Sequence, residues 1–246
     1  MRVLKLTLSY DGTRFVGWQR QTEGESIQGL LEEALARFDG APVTAHGAGR
    51  TDAGVHALGQ VASAVVQTTQ DTGALLRGLN AALPEDIRVV AVEDAAPDFH
   101  ARFSARAKTY RYVIRNTPVA SPFERAFSWH LPELIDLDAM RKAAAALVGT
   151  HDFAAFRSVG GDVETTVRSM TRSTLACDSE RIVTYEIAGN GFLRHMVRAI
   201  AGTLVEIGRG WRDASSVEAL LAGGQRADAG ATAPPHGLFL VRVDYD

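Results

Sequence analysis

Stretches with an apolar period of two alternate with stretches of period 3.6 along this chain, in an order that few folds accommodate. In Arg2–Tyr10, Leu4, Leu6, Leu8 and Tyr10 share one face of a strand, with Lys5, Thr7 and Ser9 opposite. A long connection runs from Asp11 to Glu25. Ser26 then caps a helix in which Ile27, Leu30, Leu31, Ala34, Leu35 and Phe38 recur every three or four residues, and Asp39-Gly40 ends it. Val43–Ala48 and Gln60–Thr68 read as strands. Leu75, Leu76, Leu79 and Leu83 give a second helix stopped by Pro84, and Ile87–Val92 a further strand. The resulting order, β-α-β-β-α-β, is the split βαβ arrangement of ferredoxin-like domains.

The second half repeats that order of elements. Tyr110, Tyr112 and Ile114 alternate with Arg111, Val113 and Arg115, a helix capped by Asp138 follows, and segments near 166–178 and 180–189 form a strand pair. A helix near 192–208, a shorter one after Asp213 and a last strand at Leu238–Tyr245 complete it. We therefore expect an α+β chain of two ferredoxin-like halves, residues 1–103 and 104–246, whose antiparallel sheets join around a central cleft.

Between the two central strands of the first half lies Gly47-Ala-Gly-Arg50-Thr-Asp52-Ala-Gly54-Val-His56, which follows neither period and sets an arginine, an acid and a histidine among glycines. A segment that adds so little to a core, between segments that add much, is a place for chemistry. Arg50 beside Asp52 favours a carboxylate, suited to a nucleophile or a base. The plainer alternative is an aspartate capping a turn beside a structural ion pair. His46 and His56 flank Asp52, but no thiolate or further His/Glu completes a metal-ligand spacing, so no metal is expected. The loop also lacks the Gly-Lys-Ser/Thr ending of a phosphate-binding loop.

Charge enters here. The net charge is −3, so any nucleic-acid contact must come from local clusters. Lys5, Lys108 and Lys142 are the only lysines among 26 cationic residues, leaving guanidinium groups to do the work. From Phe99 to Arg115 arginines and aromatic rings are interleaved, as in contacts with single-stranded nucleic acid, the alternative being a strand with one core face. Tyr110 lies near the start of that strand. Phe192-Leu-Arg194-His195-Met-Val-Arg198 places Arg194 and Arg198 one helical turn apart, and Arg157 lies beside Phe153 and Phe156. Cys177 is alone, the first ten residues read as a strand rather than a signal peptide, and no apolar run nears the ~20 residues of a bilayer span. The expected setting is cytoplasmic, with no membrane partner.

The stretch from Gly47 to His56 resembles the active-site motif of the tRNA pseudouridine synthase A family. Further blocks resemble that family in the same order: Tyr10-Asp-Gly with Gly17-Trp-Gln-Arg-Gln21, Leu79-Asn-Ala-Ala-Leu-Pro84, Phe99-His-Ala-Arg-Phe103, Tyr110-Arg-Tyr112, Asn190-Gly-Phe-Leu with His195-Met-Val-Arg198, and His236 to Asp244. The resemblance implies an isomerase that converts uridine to pseudouridine at positions 38, 39 and 40 of the tRNA anticodon stem-loop. It implies Asp52 as the catalytic aspartate, Arg50 as its partner, and Tyr110 against the target base. Arg157, Arg194, His195 and Arg198 are the expected tRNA contacts. It also implies a homodimer without cofactor or metal. Ala199 stands where the family usually has Asn, Arg194 where an aromatic is common, and Ser63-Ala64 where an aromatic is frequent. A non-catalytic RNA-binding protein of duplicated ferredoxin-like domains is the rival reading, and a metal-dependent hydrolase through His46, Asp52 and His56 a weaker third.

Overall fold

The computed structural model describes residues 1–160 and 164–245. The elements run β1 (Arg2–Tyr10), α1 (Ile27–Asp39), β2 (Ala45–Gly47), β3 (His56–Val66), α2 (Thr72–Ala82) and β4 (Ile87–Ala95). They continue β5 (Ala107–Arg115), β6 (Trp129–His130), α3 (Leu137–Ala145), β7 (Gly149–Asp152), β8 (Val167–Cys177), β9 (Ile182–Gly189), α4 (Met196–Gly208), α5 (Ser216–Leu221) and β10 (Leu238–Asp244). The protein is mixed α+β, and its strand pairs are mostly antiparallel. Contacts divide it into two compact units, Met1–Arg106 with Phe239–Asp246, and Ala107–Leu238.

In the first unit β1 lies between β3 and β4, antiparallel to both. The alternation along β1 decides its faces: Leu4, Leu6 and Leu8 are fully buried, each contributing about 1.5–3 kcal/mol. Ile27, Leu31 and Leu35 of α1 and Leu75 and Leu79 of α2 are buried at helical spacing. The Ser26 hydroxyl accepts the Gly29 amide at the start of α1, as its sequence position leads one to expect. β2 pairs with the far part of β3, with Ala45 opposite Ala64.

Several boundaries differ from the sequence expectation, and three of them have a visible cause. β3 begins at His56, inside the glycine-rich motif, because β10 supplies a ladder there that local sequence does not reveal: Phe239 pairs in parallel with His56 and Leu240 with Ala57. The same pairing places the last strand with the first unit, although chain order puts it in the second half. β3 stops at Val66 because the Asp39 carboxylate captures the amides of Gln67 and Thr68, at 2.5 and 2.8 Å. In the second unit Asp136, not Asp138, caps α3 and accepts the amides of Asp138 and Ala139.

The second unit builds its core on rings. β5 pairs with β9, β9 with β8 and β8 with β7. Tyr112, Tyr185, Phe153 and Phe156 are all but inaccessible to solvent. The two phenols are satisfied: the Tyr112 hydroxyl donates to the Pro234 carbonyl at 2.8 Å, and Tyr185 shares a hydrogen bond with Ser173. Burial pushes both phenols well above their usual range.

Candidate active site

The Asp52 turn is held from both sides by backbone. Gly17 and Asp52 form an antiparallel bridge, the Trp18 amide donates to the Thr51 carbonyl at 3.0 Å, and the Val55 amide closes the turn onto the Asp52 carbonyl at 3.1 Å. Gly17 has φ +110°, and a Cβ there would lie 2.5 Å from the Thr51 oxygen, so the position requires glycine twice over. On the other limb the Ala48 amide donates to the Val61 carbonyl at 2.7 Å. A side chain on Gly47 would run into the Trp18 indole, which is what lets the strap before α1 lie flat against the motif.

That strap is the Asp11–Glu25 connection, and α1 anchors it. The amides of Ile27 and Gln28 donate to the carbonyls of Gly17 and Trp18. The Gln28 side chain reaches the Ala45 carbonyl, and the Ala45 amide donates to Glu32 Oε1 at 2.9 Å. The buried Glu32 carboxylate also pairs with Arg20. Helix, strap and β2 are thus one polar lattice around the turn.

Under the turn, Tyr10 Oη lies 2.8 Å from Thr51 Oγ1, and Gln60 Nε2 donates to Tyr10 Oη at 3.4 Å and to the Gly49 carbonyl at 2.9 Å. Burial pushes the Tyr10 phenol up to about 12, against the opposing pull of its bonds to Thr51 and Gln60, so it remains a protonated brace. Tyr10, Thr51 and Gln60 were not among the expected site residues. Tyr10 and Gly17 lie in two of the blocks that carry the family resemblance, whereas nothing in the local sequence singles out Gln60, which reaches the turn only through strand pairing.

Asp52 itself is half-buried and Arg50 is exposed, two residues apart in the same loop. The flanking histidines go elsewhere. His56 is buried, stacks on Phe239 at 4.8 Å and accepts the Gly12 amide on Nδ1. The Asp11 carboxylate lies 3.2 Å from that same nitrogen. His46 is exposed and stacks on His100 at 4.9 Å. Among the described residues no three His, Cys, Asp or Glu side chains form a group able to hold a metal ion.

The other expected residues belong to the second unit. Tyr110 is buried on β5, its ring edge-on to Phe192 at 4.8 Å. Arg157, half-buried, ends a short turn after Phe153 and Phe156. The next residue ties it to the corner before α4: the Ser158 amide donates to the Arg194 carbonyl, and Ser158 Oγ lies 2.9 Å from His195 Nδ1. Arg194 Nη1 donates to the Val159 carbonyl at 3.1 Å, and Arg198 Nε to the Ala233 carbonyl at 2.8 Å. The helix begins at Met196, with His195 at φ +60° before it, so Arg194 and Arg198 do not form the one-turn helical pair that their spacing predicts. A left-handed residue breaks the helical register between them.

The interleaved segment from Phe99 to Arg115 divides. In β5, Arg111 pairs with Glu186 at 2.9 Å and Arg115 with Glu124 and Glu180, while Tyr110, Tyr112 and Ile114 face the core. That part is a strand with a core face. Before it, Arg102, Phe103 and Arg106 are exposed.

With this geometry in place, comparison with known proteins is decisive. The family model described as tRNA pseudouridine synthase matches residues 7–104 and 143–246. The chain belongs to the tRNA pseudouridine synthase family. The protein named tRNA pseudouridine synthase A of Syntrophotalea carbinolica is 50% identical over 248 residues, covering 100% of this chain and 97% of that one. Those of Pelobacter propionicus and Myxococcus xanthus are each 47% identical, covering 100% and 98% of this chain and 100% and 91% of theirs. A solved Cbf5-Nop10-Gar1 complex matches at TM-score 0.38 and 10% identity, over 96% of this chain and 48% of that one, too loosely to bear on fold or function. Among the described residues no helix is long and apolar enough to cross a membrane.

Proposed function

We propose that this chain isomerises uridine to pseudouridine in tRNA, at positions 38, 39 and 40 of the anticodon stem-loop, with Asp52 as the catalytic carboxylate. The observation that carries the reading is a half-buried aspartate on a turn closed by its own backbone, in a chain alike from end to end to proteins named tRNA pseudouridine synthase A. Substrate and product are isomers. The C1′–N1 bond breaks, C1′ joins C5, the C5 proton leaves and N1 gains one, so no redox agent takes part. The reaction needs a carboxylate placed against the base or sugar and a wall that holds the detached uracil. Asp52 meets the first need. Tyr110 provides the ring against the base, and Arg50 accompanies Asp52 at the mouth of the site. The target base leaves its stack at a cost of about a few kcal/mol, which phosphate contacts from Arg157, Arg194, His195 and Arg198 offset.

The architecture we attach to this reading is two ferredoxin-like halves acting as a cytoplasmic homodimer. Its support in the first unit is the strand order β4-β1-β3 with β2 on the outer side of β3 and both helices in the expected places.

Tritium release from C5-labelled, unmodified tRNA tests the function. The protein is expected to release label stoichiometrically with pseudouridine. A protein that binds tRNA and releases none is the non-catalytic RNA-binding rival.

A further inference from the structure

The loop after β4 is built to hold one ring in solvent. His100 Nδ1 accepts the amides of Arg102 and Phe103 at 3.1 and 3.4 Å, the His100 amide donates to Ser104 Oγ, and the Ser104 amide returns to the His100 carbonyl. Burial, followed by the charge of His46, lowers the His100 pKa, which keeps this acceptor available. The loop is bolted to the limb that leads into the Asp52 turn. The Ala101 amide donates to the buried Ser63 hydroxyl at 3.0 Å, the Tyr245 hydroxyl donates to the Ala101 carbonyl at 2.8 Å, and Ala101 packs in one cluster with Ala48 and Val61. Ser63 stands opposite His46 in the β2–β3 ladder, so this hydroxyl positions the loop beside the ring of His46.

The result is a three-ring column: His46 on His100 at 4.9 Å, and His100 on Phe103 at 4.4 Å. Its last ring, Phe103, is 77% exposed. Beyond its contacts with His100 and Arg102, a large apolar ring held in water by a loop this tightly cross-linked leaves a face open to a ligand. Arg102 lies 5.6 Å from the ring, and from Phe99 to Arg106 the chain carries two arginines and no acid. A stacking face with adjacent guanidinium groups fits an unpaired nucleotide better than an apolar protein surface.

We propose that Phe103, backed by His100 and His46, is a stacking platform for an unpaired base of the tRNA other than the target uridine, with Arg102 on its phosphate. This rests on the tRNA-modifying reading above, and the experiment separates the two. Affinity for an unmodified tRNA transcript is measured for the full chain and for Phe103→Ala, Phe103→Trp and Arg102→Ala over a range of salt, alongside tritium release. Phe103→Ala is expected to weaken binding about tenfold with an unchanged salt slope and unchanged melting temperature, the ring being exposed. Phe103→Trp keeps binding within about twofold, and Arg102→Ala lowers the salt slope by about one. Unchanged affinity in Phe103→Ala, with the parent still releasing tritium, overturns the platform alone. A silent parent whose tRNA binding depends on Phe103 overturns the catalytic reading and leaves the platform standing.

Discussion

The Asp52 turn and the corner from Arg194 to Arg198 hold similar residues, an arginine and a histidine close to the start of an element, and are assembled in opposite ways. At Asp52 the backbone closes the turn, through the Gly17 bridge and the amides of Trp18 and Val55. At the corner the side chains do the bracing: the guanidinium groups of Arg194 and Arg198 donate to the carbonyls of Val159 and Ala233, and His195 meets Ser158. A charged side chain that sequence spacing offers to a ligand is also a brace when its donors land on main-chain oxygens. At the Asp52 turn the backbone does the closing, and the side chains of Tyr10 and Gln60 brace it from beneath.

The comparison breaks most sharply at Asp52. We predict that Asp52→Asn lowers pseudouridine formation by about 10⁴-fold or more, with melting temperature and tRNA affinity close to the parent. A large loss of stability in that variant would show the carboxylate to be a structural cap instead. Gly17→Ala comes next. Its Cβ meets the Thr51 oxygen at a φ that alanine resists, so a cost of about 2–3 kcal/mol in urea unfolding is expected, together with a slower reaction. Arg198→Ala strands the Ala233 carbonyl and is expected to cost about 1–3 kcal/mol. Should it leave stability untouched, the Arg198 guanidinium is not a brace and the contrast fails. Tyr10→Phe removes one buried hydroxyl beneath Thr51, for about 1 kcal/mol by denaturant midpoint and a rate reduced several-fold. Arg194→Ala, at an exposed position, is expected within about 0.5 kcal/mol.

Much of the fold follows from local pattern. β1 and α1 are legible to the residue because their buried positions recur at two and at three to four, and Ser26 and Gly40 supply the start and the stop that the helical pattern requires. The start of β3 is not legible, since the strand that pairs with His56 lies near the other end of the chain. Phe99–Arg115 shows the same limit within one segment. Its composition is uniform, yet Glu186 and Glu124 take up the arginines of β5, and among the described residues no acid does so at Arg102. Burial and partners distinguish the two parts, and neither is a local property.

By itself the sequence determined the element order, the exceptional character of the stretch from Gly47 to His56, and the family, because periodicity, glycine placement and motif order are local in the chain. Tertiary structure alone decided what holds Asp52 in place. Tyr10, Gly17, Gln60 and the Ser63–Ala101 bond act across separations that no period spans, and hydrogen bonds of that range exist only once strands have paired and water has been excluded from between them.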